Sequence, residues 1–234
     1  MVRLLYFGLG AFAIWLALET PLDSLADNYL QSVHMLQHVL LGVVAGPLLV
    51  LGLSPCMAAW LLDRAPGLRR LTKPILAQVI AGAVMIAWHL PVLYNLTLAV
   101  DAVHIFEHLT FIGAGVLFWW PLVSATAEQA VWRLGDGLKL LYILVGTLPQ
   151  DGVALVLQFS RDLFYPHYGQ VTELVPGWTP VIDQQVSGAV LMLVGKTSFL
   201  VAAIAIFFRW IATGEEDGGR TEVPPPDPTS FWRT

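Results

Sequence analysis

Four of the six histidines in this chain stand at spacings that suit metal ligation. His34 and His38 are four residues apart in "SVHMLQHVLLGV", and His104 and His108 are four apart in "DAVHIFEHLTF". His89 stands in "WHLPVLYN" and His167 in "LFYPHY". Residues at i and i+4 on a helix share a face, with Cβ atoms about 6 Å apart. Imidazole nitrogen suits copper, zinc, iron and nickel, and a carboxylate orients a ligating imidazole through its second nitrogen. At 100° per residue, Asp101, His104, Glu107 and His108 fall within an arc of about 120°, and so do Gln31, His34, Gln37 and His38. One such pair is equally compatible with a structural hydrogen bond. Two pairs together with His89 read as a ligand set: His34, His38, His89, His104 and His108, with Asp101 and Glu107 as orienting carboxylates. Met35, next to His34, offers a soft thioether that would favour Cu(I), but it lies about 100° off the His34 face and reads rather as a packing residue.

The elements that must carry these residues are membrane helices. The 234 residues are 56% hydrophobic and 12% charged, against about 25% charged for soluble domains. A span needs about 20 apolar residues. Six segments qualify: 3–18, 33–53, 74–90, 102–123, 138–158 and 184–210. The expected fold is all-α, a polytopic transmembrane bundle of about six spans over residues 1–212. The first and third segments are short. "MVRLLYFGLGAFAIWLALETPLD" lacks a small-residue cleavage site after its apolar run and reads as an uncleaved first span.

Charge orients the bundle. Ten of the twelve basic residues lie at or beyond one set of span ends: at the start of span one, between spans two and three, between or at the start of spans four and five, and at or after the close of span six. Arg161 falls on the other side, with Asp23, Asp27, Asp162 and Glu173, and Lys196 lies inside a span. The positive-inside rule then places both termini in the cytoplasm and all six histidines at the outer ends of the spans. The tail, 213–234, is polar and Pro-rich, and reads as disordered and cytoplasmic. One cysteine, Cys56, excludes an intrachain disulfide and thiol-rich metal sites. No basic patch suits nucleic acid.

Lys196 stands alone in "LMLVGKTSFLVAAIAIFF". A charge near the bilayer centre costs at least about 2.5–3.5 kcal/mol and calls for a partner. Asp151 on span five and Lys196 on span six both lie about 20 Å above the cytoplasmic end at 1.5 Å per residue. An Asp151–Lys196 pair follows, either pinning the two spans or lying on an ion route. Pro149 is expected to free a backbone carbonyl beside it.

The runs "HMLQHVLLGVVAGPLLVLG", "WHLPVLYNLTL", "HIFEHLTFIGAGVLFWWPL", "LFYPHY" and "DQQVSG" together resemble the polytopic CtaG family of assembly proteins for caa-type cytochrome c oxidases. The resemblance covers roughly residues 21–208. It implies a non-enzymatic factor in a bacterial cytoplasmic membrane, with a metal site facing outward. Its implied cargo is copper, taken from a donor protein and delivered to haem–copper oxidase subunits. Carried over by motif, His34 and His38 match the first pair, His89 the "HLP" histidine, and His104 and His108 the second pair. Asp183 and Gln184 match the "DQQ" and are expected around the ligands. The chain departs from the family pattern in having six rather than seven spans, and in carrying Gln150 and Asp151 in "LPQDG" where many relatives are expected to have a histidine.

The residues alone leave two other chemistries open. Three imidazoles and Glu107 as base would suit a zinc-dependent intramembrane hydrolase. Two imidazoles from different helices would suit a b-type haem. Metal affinity in any of these should fall as pH drops through about 6.5, where imidazole protonates.

Overall fold

A computed structural model describes residues 1–123, 133–170 and 176–213. Residues 214–234 of the tail read as disordered, and Glu173 of the outer loops, lie outside the described residues. Those described form ten helices, a short 3-10 turn at Tyr168–Gln170, and no strand. They are α1 (Val2–Leu18), α2 (Pro21–Asn28), α3 (Gln31–Gly52), α4 (Pro55–Arg64) and α5 (Pro66–Leu71). The rest are α6 (Pro74–His89), α7 (Pro91–Thr97), α8 (Asp101–Trp119), α9 (Asp136–Phe159) and α10 (Pro180–Ala212). Helices α3, α8, α9 and α10 are each long and apolar enough to cross a membrane. The bent pairs α1–α2 (47°) and α6–α7 (76°) raise the count to six when each is one span. The two short segments of the sequence are thus each continued by a short helix beyond a bend.

Proline sets both bends. It has no N–H, its φ is fixed, and it pushes the preceding residue out of helical geometry. Thr20 and Leu90, which precede Pro21 and Pro91, are extended at ψ 174° and 132°. Each proline then opens the next helix at a position where no N–H is needed. The second bend leaves His89 as the last residue of α6.

The membrane supplies no hydrophobic drive between helices, so close approach of small residues and internal polar contacts hold the bundle. A Cβ on Gly46 of α3 would stand 2.9 Å from the carbonyl carbon of Gly115 on α8, and one on Gly115 would overlap the Gly42 carbonyl oxygen. The backbones of α3 and α8 therefore touch. Helix α9 is polar inward and apolar outward. Tyr142, Thr147 and Gln150 are buried, while Leu141, Leu144, Leu148 and Val156 are exposed. That inversion is the pattern of a helix facing lipid. At the start of α9, Asp136 pairs with Lys139 (3.0 Å) and with Arg209 of α10.

Wide π-type turns interrupt two spans, at Val39–Ala45 in α3 and Val190–Val194 in α10. Such turns are frequent at functional sites. Lys196 follows the second and lies 3.0 Å from Asp151. Gln150 donates to the Leu191 carbonyl of the same turn at 2.7 Å. Helix α9 continues through Pro149, whose ring packs toward Gly82 of α6. Removing one partner leaves the other charge alone in the bilayer, so Lys196→Met is expected to destabilise more than Asp151→Asn/Lys196→Met does. A double-mutant cycle on thermal unfolding in detergent should give a coupling of about 0.5–3 kcal/mol. Additive single effects would remove the pair as a structural link.

Candidate metal centre

The first two turns of α3 project His34 and His38 toward α8, which returns His104, Glu107 and His108. His34, His38 and Glu107 are fully or almost fully buried, and His108 is 6% exposed. The Nε2 atoms of His34 and His38 are 3.0 Å apart. Glu107 lies between them and the second pair, 3.4 Å from His38 Nε2 and 3.7 Å from His34 Nε2. Ring centroids are 4.1 Å apart for His104–His108 and 5.3 Å for His34–His104. His34, His104, Glu107 and His108 each offer a ligand atom, all within 4.8 Å of one another. Zinc-type bonds of about 2.0–2.2 Å to nitrogen and oxygen come within reach of one ion after small side-chain adjustments.

The donor set passes a second test. His104 Nε2, His108 Nε2, His38 Nδ1 and both Glu107 oxygens are buried and make no hydrogen bond among the described residues. The neighbouring Thr97 hydroxyl donates instead to the Tyr94 carbonyl at 2.7 Å. Buried polar groups without partners are costly and rare. The atoms of His104, Glu107 and His108, three of the four residues whose ligand atoms lie within 4.8 Å of one another, fit a cation that satisfies them together; His38 Nδ1 stands outside that group.

The surroundings orient the cluster. Asp27 of α2 spans two imidazoles, 3.5 Å from His104 Nδ1 and 3.8 Å from His34 Nδ1. The Tyr168 hydroxyl donates to the Ala26 carbonyl at 2.8 Å and offers its lone pair to His34 Nδ1 at 3.4 Å. Burial pushes the Tyr168 phenol well above its ordinary value, so it keeps its proton. The His34 proton then sits on Nδ1, and Nε2 points its lone pair into the cluster. Tyr165 donates to the His89 carbonyl at 2.8 Å and stacks on Tyr94 at 3.9 Å. His167 contacts the Asp27 carbonyl at 2.9 Å and ties the loop to α2.

The expected site residues divide accordingly. His34, His38, His104 and His108 come together. Glu107, expected to orient ligands, lies among them at ligand distance. His89 is beside His38, with centroids 5.4 Å apart, but outside the four-residue group. Asp101 is exposed on the first turn of α8, and Asp27 takes the orienting place expected for it. Asp183 accepts from the Ser32 hydroxyl (2.5 Å) and backbone N–H (3.3 Å), anchoring the start of α3. Gln184 accepts from Phe164 N–H (2.8 Å) and donates to the Asp162 carbonyl (2.9 Å), holding the loop that carries Tyr165 and Tyr168. These two bear on the histidine cluster only through the segments they hold. Asp27, Tyr165 and Tyr168 carried no periodic signal, because a bend and a loop bring them in.

Fold and site define a polytopic helical membrane protein with a buried imidazole–carboxylate cluster where several helix ends meet. The chain belongs to the cytochrome c oxidase caa3 assembly factor family, Caa3_CtaG, whose model matches residues 1–213. No curated protein and no solved structure matches it. The family membership inferred from the histidine motifs therefore holds, and an assembly factor implies association with the cytochrome oxidase.

Proposed function

We propose that this protein binds copper as cargo at the His34–His104–Glu107–His108 cluster and passes it to a haem–copper cytochrome c oxidase. The observation that carries the reading is the convergence of four ligand-bearing residues within 4.8 Å of one another, three of which hold buried polar atoms with no hydrogen-bond partner among the described residues. Imidazole and carboxylate suit copper and zinc alike, and membership of an oxidase assembly family favours copper. The protein's part is to hold imidazoles in one tautomer, exclude competing water and release the ion to a partner. The site then faces outward from a bacterial cytoplasmic membrane, with both termini inside, as the basic residues suggest. A copper donor protein supplies the ion.

Haem fits the geometry less well, since the imidazole rings pack 4.1 to 6.2 Å apart and leave no slot between them for a macrocycle. A hydrolytic zinc site would need Glu107 beside the ligands as a base, and it sits among them instead.

Metal analysis of the purified protein tests the proposal. The wild type should carry copper, and His34→Ala/His104→Ala should carry almost none. Cells with the double variant should accumulate caa-type oxidase that holds haem but lacks copper. Equal copper in the two proteins would sink the reading.

A further inference from the structure

We propose that Met35, His89 and His38 form a second, softer station for a monovalent d10 cation such as Cu(I), beside the four-residue cluster. The proposal rests on the reading of the pocket as a copper site and adds to it a second set of ligands with a different preference.

His89 Nδ1 lies 2.7 Å from the Met85 carbonyl oxygen. A carbonyl only accepts, so the proton is on Nδ1, and the Nε2 of a neutral imidazole is a bare lone pair. That Nε2 faces the Met35 sulfur at 3.1 Å. A thioether has no proton to give. Two electron-pair donors thus confront each other in a pocket where Met35 is fully buried and His89 is 6% exposed. A second proton on His89 would answer the contact only by burying a charge against a weak acceptor. A soft cation answers it with two bonds.

His38 supplies the third donor. Its Nε2 faces His34 and Glu107, and its Nδ1 is buried with no hydrogen-bond partner among the described residues. Its ring stands edge-on to His89 with centroids 5.4 Å apart, and stacks on Phe111 at 4.1 Å. His38 therefore lies between the two sets, with one nitrogen engaged by the first and the other left over. The thioether decides the difference in preference. Sulfur ligands select Cu(I), whereas imidazole with carboxylate also accepts zinc and Cu(II).

The test uses the full-length protein in detergent, titrated anaerobically with Cu(I) against a competing chelator, with Zn(II) in parallel. X-ray absorption on the wild type loaded with Cu(I) should contain a copper–sulfur path. Met35→Leu, a swap that conserves volume, should abolish that path and lower Cu(I) affinity at least about tenfold, with Zn(II) binding unchanged. A wild-type spectrum of nitrogen and oxygen neighbours alone, or unchanged Cu(I) affinity in Met35→Leu, would overturn the second station and leave the first standing. A wild type that takes up no copper would overturn both.

Discussion

Exchanging Glu107 for glutamine should lower metal affinity by about 100-fold and leave the metal-free protein at least as stable as before. On the proposed reading the carboxylate serves only the loaded state, and the two effects part for that reason. Without an ion, Glu107 is a fully buried acid whose oxygens make no hydrogen bond among the described residues, 3.4 and 3.7 Å from imidazole nitrogens. Burying a charge without full compensation is expensive, and replacing it with a neutral group of the same shape relieves that cost. With an ion present, the same charge is the only formal negative charge among the four donors, and an amide oxygen is a poorer ligand. Competition titration should record the loss. Thermal unfolding should show a metal-dependent stabilisation in the wild type, following the logarithm of ligand over Kd, that is largely gone in Glu107→Gln. A variant that binds as tightly as the wild type, or that melts earlier without metal, would place Glu107 outside the ligand set.

A methyl group at Gly115 should cost the protein both folding and metal. A Cβ there would overlap the Gly42 carbonyl oxygen, and the obstacle is backbone that cannot swing aside. Overpacking costs about 1–3 kcal/mol, and more where helices must separate. Gly42 lies four residues past His38, and Gly115 seven past His108. The contact therefore sets the distance across which the two histidine pairs face each other. Gly115→Ala should melt earlier and carry less metal even in its folded fraction. Gly113→Ala, on the same helix with nothing within 4 Å of its Cβ, should match the wild type in both. Equal behaviour of the two variants would separate this helix contact from the site.

What the sequence disclosed and what it hid follow from periodicity. A pattern repeating every four residues needs no tertiary knowledge, so the pairs His34–His38 and His104–His108 were legible, as was the helical membrane fold. Asp101 shares the arc of His104 and Glu107, but arc position says nothing about depth, and the first turn of α8 leaves it exposed. Asp27 reaches the same imidazoles from α2 because the chain bends by 47° between α1 and α2. Met35 was read as packing because it is rotated off the His34 face. The direction it does face is filled by His89 from α6, a fact of helix arrangement and not of α3 alone. Asp183 and Gln184 were legible by motif, but their role in bracing α3 and the loop at 160–170 is tertiary.

The wide turn at Val39–Ala45 bears on how the chain tolerates change in length. His34, His38, Gly42 and Gly46 follow one another at intervals of four. On a regular helix that series drifts by about 120° over its twelve residues. Here all four meet α8: the histidines beside His104 and His108, and the glycines against Phe111 and Gly115. A wide turn advances by a smaller angle per residue, which keeps the series in line. Such a turn differs from regular helix by a single inserted residue. Deleting one residue between 39 and 45 would restore ordinary winding, and seven residues at 100° turn through about 700°, within about 20° of two full turns, so the histidine end would keep its bearing on the glycine end. The wide turn thus absorbs a change of one residue in chain length without turning His34 and His38 away from α8.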